Sequence, residues 1–228
     1  MKHANQIKAL LFDIDNTLVN RDYAFTMYIK DFVKRNQNSF GSKCYDSVIE
    51  EILQIDDRGR FDRSLFIEKI LGMFPGLNMS KEEFWADHKT LPDFVRNEYE
   101  VQEMIKRLKE DYNLAIVSNG SGDMQRMKMR YAGLESLFTE YFISGEIGIE
   151  KPDSKIFTKA LDSLKCLPED AVMIGDDMDR DILGAKKTGI KTIMISSAEN
   201  RRKNADKNIA DIVIDNILEL EKVLPCLI

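Results

Sequence analysis

Short apolar runs recur along most of the chain. The first, residues 8–12 (KALLF), is followed directly by Asp13 and Asp15. A run of this length that ends at polar residues is typical of a buried strand. Five later runs have the same character: residues 114–117, 141–143, 171–174, 191–195 and 211–214. The pattern therefore predicts six buried strands.

Segments with helical periodicity separate most of these runs. Residues 123–131 place Met124, Met127 and Tyr131 at helical spacing, and residues 155–164 place a second apolar set on one face. A third helix is predicted at residues 181–188, before Gly189. Strands that alternate with helices predict an α/β fold, a Rossmann-like parallel sheet with flanking helices.

Residues 19–95 differ, because helical stripes follow one another there without strand runs between them. We interpret the stripes as the core faces of helices. The predicted organisation is an α/β core formed by residues 1–18 and 96–228, with a helical module, residues 19–95, inserted after the first strand. The charged segment 199–207 is expected to be a solvated loop or helix end. The stripes are Phe25/Ile29/Phe32/Val33, Val48/Ile49/Ile52/Leu53, Phe66/Ile67/Ile70/Leu71 and a shorter one at Phe84/Trp85/His88.

Composition narrows the class of protein. Hydrophobic residues make up 43% of the 228 and charged residues 32%, and no apolar run reaches the roughly 18 residues that span a bilayer. The polar residues 1–6 do not resemble a signal peptide, so we expect a cytoplasmic protein with no membrane partner. The net charge of −6 argues against nucleic acid as a partner. If the substrate is an anion, its site needs local positive charge.

Polar motifs follow four of the predicted strands. They are DIDNT at residues 13–17, SNG at 118–120, KP at 151–152 and GDD at 175–177. Because the carboxyl ends of parallel strands lie along one edge of a sheet, these motifs are expected to form one site.

Taken together and in this order, the motifs resemble the haloacid dehalogenase superfamily in its phosphatase branch. The resemblance covers nearly the whole α/β part, and it implies that the helical insertion is the family's cap. It also implies an Mg²⁺-dependent phosphomonoester hydrolase that forms an aspartyl phosphate on Asp13. The dehalogenase branch lacks a carboxylate at the position of Asp15, because halide needs no proton, so phosphoryl transfer is favoured.

The resemblance assigns a role to each motif. Asp13 matches the nucleophile, Asp15 the general acid/base, and Lys151 the lysine that neutralises the transferred phosphoryl group. Substrate-binding positions are Thr17, Ser118, Asn119 and Gly120, where a helix start favours anions.

Metal ligation is also implied. The ligands would be Asp13, the backbone carbonyl of Asp15, and Asp176, and hard oxygen donors of this kind suit Mg²⁺. Asp177 and Asp181 would hold metal-bound water or orient Lys151.

Several questions stay open from the sequence. The expected substrate is a small phosphorylated metabolite. The stretch from Asn119 to Asp153 is similar to the pyrimidine 5′-nucleotidase-like subgroup, which points to a nucleoside monophosphate, while sugar phosphates and phosphoglycolate remain candidates. A phosphomutase, a non-catalytic phosphate-binding or regulatory module and a phospho-receiver domain are the alternative functions. Monomer and homodimer both fit. Specificity is expected to depend on the insertion, with five candidates: Asn20, Arg21, Arg58, Arg60 and His88.

Overall fold

The computed structural model describes residues 6–196 and 209–227, so the charged segment 199–207 lies outside the described residues. The chain divides into two compact units. One comprises the described residues up to Asn20 together with those from Asn97 onward, and the other is Arg21–Arg96. The boundaries expected from the sequence lie within two residues of these.

A six-stranded parallel sheet forms the centre of the first unit, as the sequence predicts. The strand order is β3-β2-β1-β4-β5-β6. On β1, Leu10 pairs with Leu114 of β2 on one side and with Val172 of β4 on the other. The strands are β1 Ala9–Phe12, β2 Asn113–Ser118, β3 Glu140–Ile143, β4 Ala171–Gly175, β5 Lys191–Ile195 and β6 Ile212–Ile214.

The position of β1 determines where a site can form. From β1 the chain fills one side of the sheet with β2 and β3, and then returns to fill the other side with β4, β5 and β6. Such a reversal opens a crevice at the carboxyl ends of the strands, where ligands of α/β proteins bind. The ends of β1, β2 and β4 therefore adjoin, and three of the predicted motifs follow these strands.

Helices flank this sheet and also form the second unit. On α8, the residues Ile156, Phe157 and Ala160 are fully buried and pack with Leu11 and Met173 of the strands. The helices are α1 Arg21–Arg35, α2 Tyr45–Asp56, α3 Arg63–Met73, α4 Lys81–His88, α5 Tyr99–Asp111, α6 Gly122–Tyr131, α7 Ser144–Ile147, α8 Ser154–Leu164, α9 Gly184–Lys186 and α10 Leu220–Val223.

Two helices differ from their predictions. On α6 the predicted apolar stripe is wrong, because Met127 is only half-buried and Tyr131 is 44% exposed. The helix predicted at residues 181–188 instead begins as a π-helical turn, Met178–Leu183, and ends as α9. The amide of Ile182 donates to the carbonyl of Asp177, five residues back, at 3.2 Å, which widens the turn around Asp181.

The unit Arg21–Arg96 has an aromatic core that confirms the predicted stripes. Phe25, Phe32, Phe66 and Phe84 are each fully or almost fully buried, and the ring centroids of Phe32 and Phe84 lie 5.2 Å apart, edge to face. Leu53 of α2, Leu71 of α3 and Trp85 of α4 are only half-buried, while the other members of the stripes are buried.

Two of the residues considered for specificity are interior in this unit. Arg21 is 5% exposed and His88 is 3% exposed. The guanidinium of Arg21 forms two hydrogen bonds with the carboxylate of Asp56, which also accepts from Arg63 at 2.7 Å. Arg21 is therefore part of a buried ion-pair cluster. Across residues 6–196 and 209–227, no helix combines the length and the apolar character that a bilayer span requires.

Candidate active site

Asp13 lies where β1 ends and the chain turns. Its amide still donates to the carbonyl of Ile174 on β4, at 3.0 Å, so its backbone continues the sheet. Immediately afterwards Asn16 adopts a left-handed conformation (φ 57°), and the amides of Leu18 and Val19 both donate to the carbonyl of Ile14. This tight turn places Asp13 at the carboxyl edge of the sheet while the chain leaves it.

The Asp13 carboxylate is held by two side chains from other motifs. One of its oxygens, Oδ1, accepts from the hydroxyl of Ser118 at 2.9 Å and from the amine of Lys151 at 2.7 Å. Asp13 is 7% exposed, so its carboxylate is largely shielded from water. The structure thus brings together Asp13, Ser118 and Lys151, which the sequence assigns to one site.

Lys151 uses all three of its donors inside the protein. Besides Asp13, its amine donates to the carbonyl of Val117 at 2.7 Å and to Asp181 at 2.6 Å. Burial alone would lower the pKa of this amine, but the carboxylates of Asp13 and Asp181 outweigh burial and raise the pKa. The amine therefore stays protonated and supplies the positive charge that the sequence requires at an anion site.

Three carboxylates gather at this place. Oxygens of Asp13, Asp176 and Asp181 all lie within 4.8 Å of one another. With Lys151 as the counter-charge, three negative charges meet one positive charge. Burial raises the pKa of Asp181 to about 6 against the opposing effect of Lys151, and the nearby charge of Asp13 adds to the rise.

This donor set fits a hard divalent cation. Carboxylate oxygens are the ligands that Mg²⁺ prefers, and two positive charges would balance the surplus negative charge. The carboxylates grouped here include Asp181, which the sequence places only in a supporting role. The side chain of Asp15 is not among them.

Asp181 is fixed by a close approach to the backbone. Its Oδ2 accepts from the amide of Asp177 at 3.0 Å, and it is 1% exposed. A Cβ added to Gly175 would lie 2.2 Å from the same oxygen. Only glycine fits there, which explains why the first residue of the GDD motif is a glycine. The Asp177 carboxylate accepts from the amides of Asp179 and Arg180 and caps the π-helical turn.

Asn119 and Gly120 of the SNG motif make hydrogen bonds to different parts of the chain. The side-chain amide of Asn119 donates to the carbonyl of Lys151 at 2.9 Å and accepts from the amide of Lys151 at 2.8 Å. Asn119, expected to bind substrate, thus clamps the backbone of Lys151. The amide of Gly120, at φ 126°, donates to the hydroxyl of Ser144 at 3.0 Å.

Thr17, the last residue of the DIDNT motif, is buried. Among the residues that the structure describes, its hydroxyl oxygen has no hydrogen-bond partner. Buried hydroxyls are nearly always satisfied, so the hydrogen-bonding capacity of this oxygen is unused within the described residues.

Asp15 has partners that the sequence analysis missed. Its carboxylate accepts from the amine of Lys128 at 2.7 and 2.8 Å and from the side-chain amide of Gln125 at 3.3 Å. Both partners lie on the buried face of α6, which is not the face predicted from Met124, Met127 and Tyr131. The available signal was the pair of long polar residues at i and i+3, but such a pair usually points to solvent.

Comparison with known proteins places the geometry in context. The family model described as haloacid dehalogenase-like hydrolase matches residues 10–195. A glyceraldehyde 3-phosphate phosphatase of Pyrococcus furiosus is 28% identical over 227 residues, covering 96% of this chain and 93% of that protein.

Two further comparisons agree with this match. A glyceraldehyde 3-phosphate phosphatase of Methanothermobacter thermautotrophicus is 39% identical over 116 residues, which is 50% of this chain and 51% of that protein. The crystal structure of a phosphatase of the same superfamily from Thermococcus onnurineus superposes with a TM-score of 0.69 at 26% identity, covering 96% of this chain and 98% of that one.

Proposed function

The chain belongs to the haloacid dehalogenase-like hydrolase family and is a phosphatase of that family, and from this we propose that it hydrolyses small phosphomonoesters through an aspartyl phosphate on Asp13. One observation carries the proposal. The buried carboxylate of Asp13 lies against the protonated amine of Lys151 and beside two further carboxylates that suit a divalent cation.

In the first step of the proposed reaction, a carboxylate oxygen of Asp13 forms a bond to phosphorus. The bond from phosphorus to the ester oxygen breaks, and the proton of the Asp15 carboxyl group goes to that oxygen, which leaves as an alcohol. Lys151 neutralises negative charge on the phosphoryl group as it transfers.

In the second step, Asp15, now a carboxylate, takes a proton from water. The water oxygen bonds to phosphorus, and the bond from phosphorus to Asp13 breaks. Inorganic phosphate leaves and the Asp13 carboxylate is restored, so both aspartates return to their starting forms.

Asp13, Asp176 and Asp181, with the backbone carbonyl of Asp15, are the residues that would hold Mg²⁺. When bound, the cation supplies positive charge to the phosphate oxygens and offsets the surplus of carboxylates. Ser118, Thr17 and the amide of Gly120 are the proposed phosphate contacts.

For the substrate, we propose a small phosphorylated metabolite. The named activity of the similar phosphatases favours a three-carbon phosphate such as glyceraldehyde 3-phosphate. The subgroup resemblance favours a nucleoside monophosphate instead. We propose that Arg21–Arg96 is the family's cap and determines which phosphorylated metabolite is the substrate. A phosphate-release screen over triose phosphates, nucleoside monophosphates, sugar phosphates and phosphoglycolate identifies which of these classes is the substrate.

The experiment that tests the reaction compares two aspartate variants. With Mg²⁺, we expect phosphate release that stops on addition of EDTA, and Asp13→Asn should abolish turnover while Asp162→Asn, an exposed residue of α8, should retain it. Full turnover by Asp13→Asn would refute the proposal. A sugar product that keeps its phosphate would instead identify a mutase.

A further inference from the structure

The buried face of α6 carries two polar residues that the reaction described above does not use. Gln125 is 2% exposed and Lys128 is 6% exposed. Burying a lysine costs free energy unless its charge is paired and its donors are satisfied. Asp15 pairs with the charge of Lys128 and accepts hydrogen bonds from both side chains.

A continuous chain of polar contacts runs from one aspartate to the other. The amine of Lys128 contacts both oxygens of Asp15, at 2.7 and 2.8 Å. The side-chain amide of Gln125 donates to Asp15 at 3.3 Å and to the hydroxyl of Ser118 at 2.8 Å, and Ser118 donates to Asp13 at 2.9 Å. Gln125 thus connects Asp15 with Ser118, the hydrogen-bond partner of Asp13.

We propose that Lys128 and Gln125 are positioning residues that fix the carboxylate of Asp15 relative to Asp13. This inference rests on the proposed function, in which Asp15 moves the proton. The Asp15 side chain lies within the tight turn and is 30% exposed, so burial alone does not fix its orientation. A side chain in general acid/base catalysis must come within roughly 2.6–3.2 Å of the atom that it protonates.

The rigidity comes from α6. Gln125 and Lys128 stand three residues apart, on one face of the helix, and reach Asp15 from neighbouring positions. Met124 and Met129, which are buried on the same helix, anchor that face in the core. A carboxylate held by two donors from a packed helix has fewer orientations than one that faces water.

Positioning of Asp15 has a consequence that a purely structural ion pair lacks. In the first step, the proton of Asp15 goes to the ester oxygen while the bond from that oxygen to phosphorus breaks. A strongly basic alkoxide needs this proton in order to leave, whereas a p-nitrophenolate leaves without it. Misplacing Asp15 should therefore slow alkyl phosphates much more than aryl phosphates, in kcat/KM, which reports this step.

The test measures kcat/KM on p-nitrophenyl phosphate and on the best alkyl phosphate from the screen. For Lys128→Met we expect a loss of at least about 10-fold on the alkyl ester and of less than about 3-fold on the aryl ester, since a positioned acid contributes roughly 10²–10⁴-fold. Lys128→Arg should recover part of the alkyl activity. The matched control is Arg130→Met, which removes an exposed cation from the same helix and should change neither value.

A double variant separates positioning from stability. In an Asp15→Asn background, Lys128→Met should cause no further loss in kcat/KM on either ester, because residues that act through one another are not additive. Thermal unfolding of each variant checks the fold. If Lys128→Met does not fold, Gln125→Leu and Lys128→Arg are read by the same ratio of alkyl to aryl activity.

The outcomes distinguish this inference from the proposed function. If Asp15→Asn is selective for alkyl esters while the α6 variants slow both esters equally, Lys128 and Gln125 are structural and the inference is overturned. Further loss in the double variant overturns it as well. If Asp15→Asn itself shows no selectivity, the acid role of Asp15 fails and the proposed function must be revised.

Discussion

A single methyl group at Gly175 should disable the site. Gly175 ends β4, and an ideal Cβ built there would lie 2.2 Å from Oδ2 of Asp181 and 2.4 Å from its Cγ. Ordinary contacts to a Cβ begin near 3.4 Å. In Gly175→Ala the Asp181 carboxylate must therefore move by about 1 Å or more, a shift that a packed interior does not absorb easily.

The magnitude follows from what Asp181 loses when it moves. Its bonds to the amine of Lys151 at 2.6 Å and to the amide of Asp177 at 3.0 Å are both at risk. Overpacking costs about 1–3 kcal/mol and a lost hydrogen bond to a charged group about 1.5–3 kcal/mol. We expect the free energy of unfolding to fall by about 2–5 kcal/mol. A 1 Å misplacement at a catalytic site can cost about 100-fold, and kcat/KM should fall by that order.

The assay pairs this variant with the same substitution elsewhere. Gly72 lies in α3, and a Cβ there would meet nothing within 4 Å. Gly72→Ala should leave phosphate release unchanged and raise the free energy of unfolding by up to about 1 kcal/mol, because alanine favours helix. Urea unfolding and kcat/KM are measured for both variants. Wild-type values for Gly175→Ala would refute the claim that Asp181 is fixed by this close approach.

Two further predictions concern buried polar clusters. Asp56→Asn should destabilise the helical unit by about 3–5 kcal/mol in urea unfolding, since it leaves the charges of Arg21 and Arg63 without their shared carboxylate. Burial alone would raise the pKa of Asp56, but these arginines outweigh burial and lower it, so its stabilising effect is present above about pH 4 and is lost as the pH falls through the lowered value. Asn119→Ala should reduce kcat by about 10-fold or more with little change in KM, because it releases the backbone of Lys151.

Matched substitutions at the surface serve as controls for these predictions. Asp46→Asn removes an exposed carboxylate from the same helix as Asp56, and Asn113→Ala removes an exposed amide at the start of β2. Neither should change stability by more than about 0.5 kcal/mol. A pH dependence of stability that is identical in Asp56→Asn and in the wild type would contradict the role of Asp56. A rise in KM alone in Asn119→Ala would instead support the substrate contact expected from the sequence.

Apolar periodicity predicted the positions of the strands closely because a buried parallel strand needs an almost continuous apolar run. The prediction that all six are buried is wrong for the edge strands β3 and β6, each of which buries only one residue. Residues 191–195 were predicted as a strand and form β5. The end of each run also predicted where Asp13, Ser118 and Asp176 come together, since parallel strands present their carboxyl ends at one edge. What the sequence could establish about the site thus follows from the topology of the sheet.

Side-chain partners could not be predicted in the same way, because they depend on which helix face turns inward. The methionines of α6 suggested one face, and the structure buries another that includes Lys128. Lysine is rarely buried, so no rule of composition would have chosen it. The sequence assigns Asp181 only a supporting role for a similar reason. Its position depends on a π-helical turn, and the sequence predicted an ordinary helix there.

Asp13 and Asp15 are chemically identical side chains, and their different surroundings come from the turn between them. In a continuous strand, residues two apart face the same side, so both carboxylates would occupy one space and repel each other. The chain instead turns at Asn16. A turn before α8 supplies Lys151 to Asp13, and α6 supplies Lys128 to Asp15. Each aspartate therefore has its own counter-charge, and in the reaction that we propose this separation lets Asp13 attack phosphorus while Asp15 moves a proton.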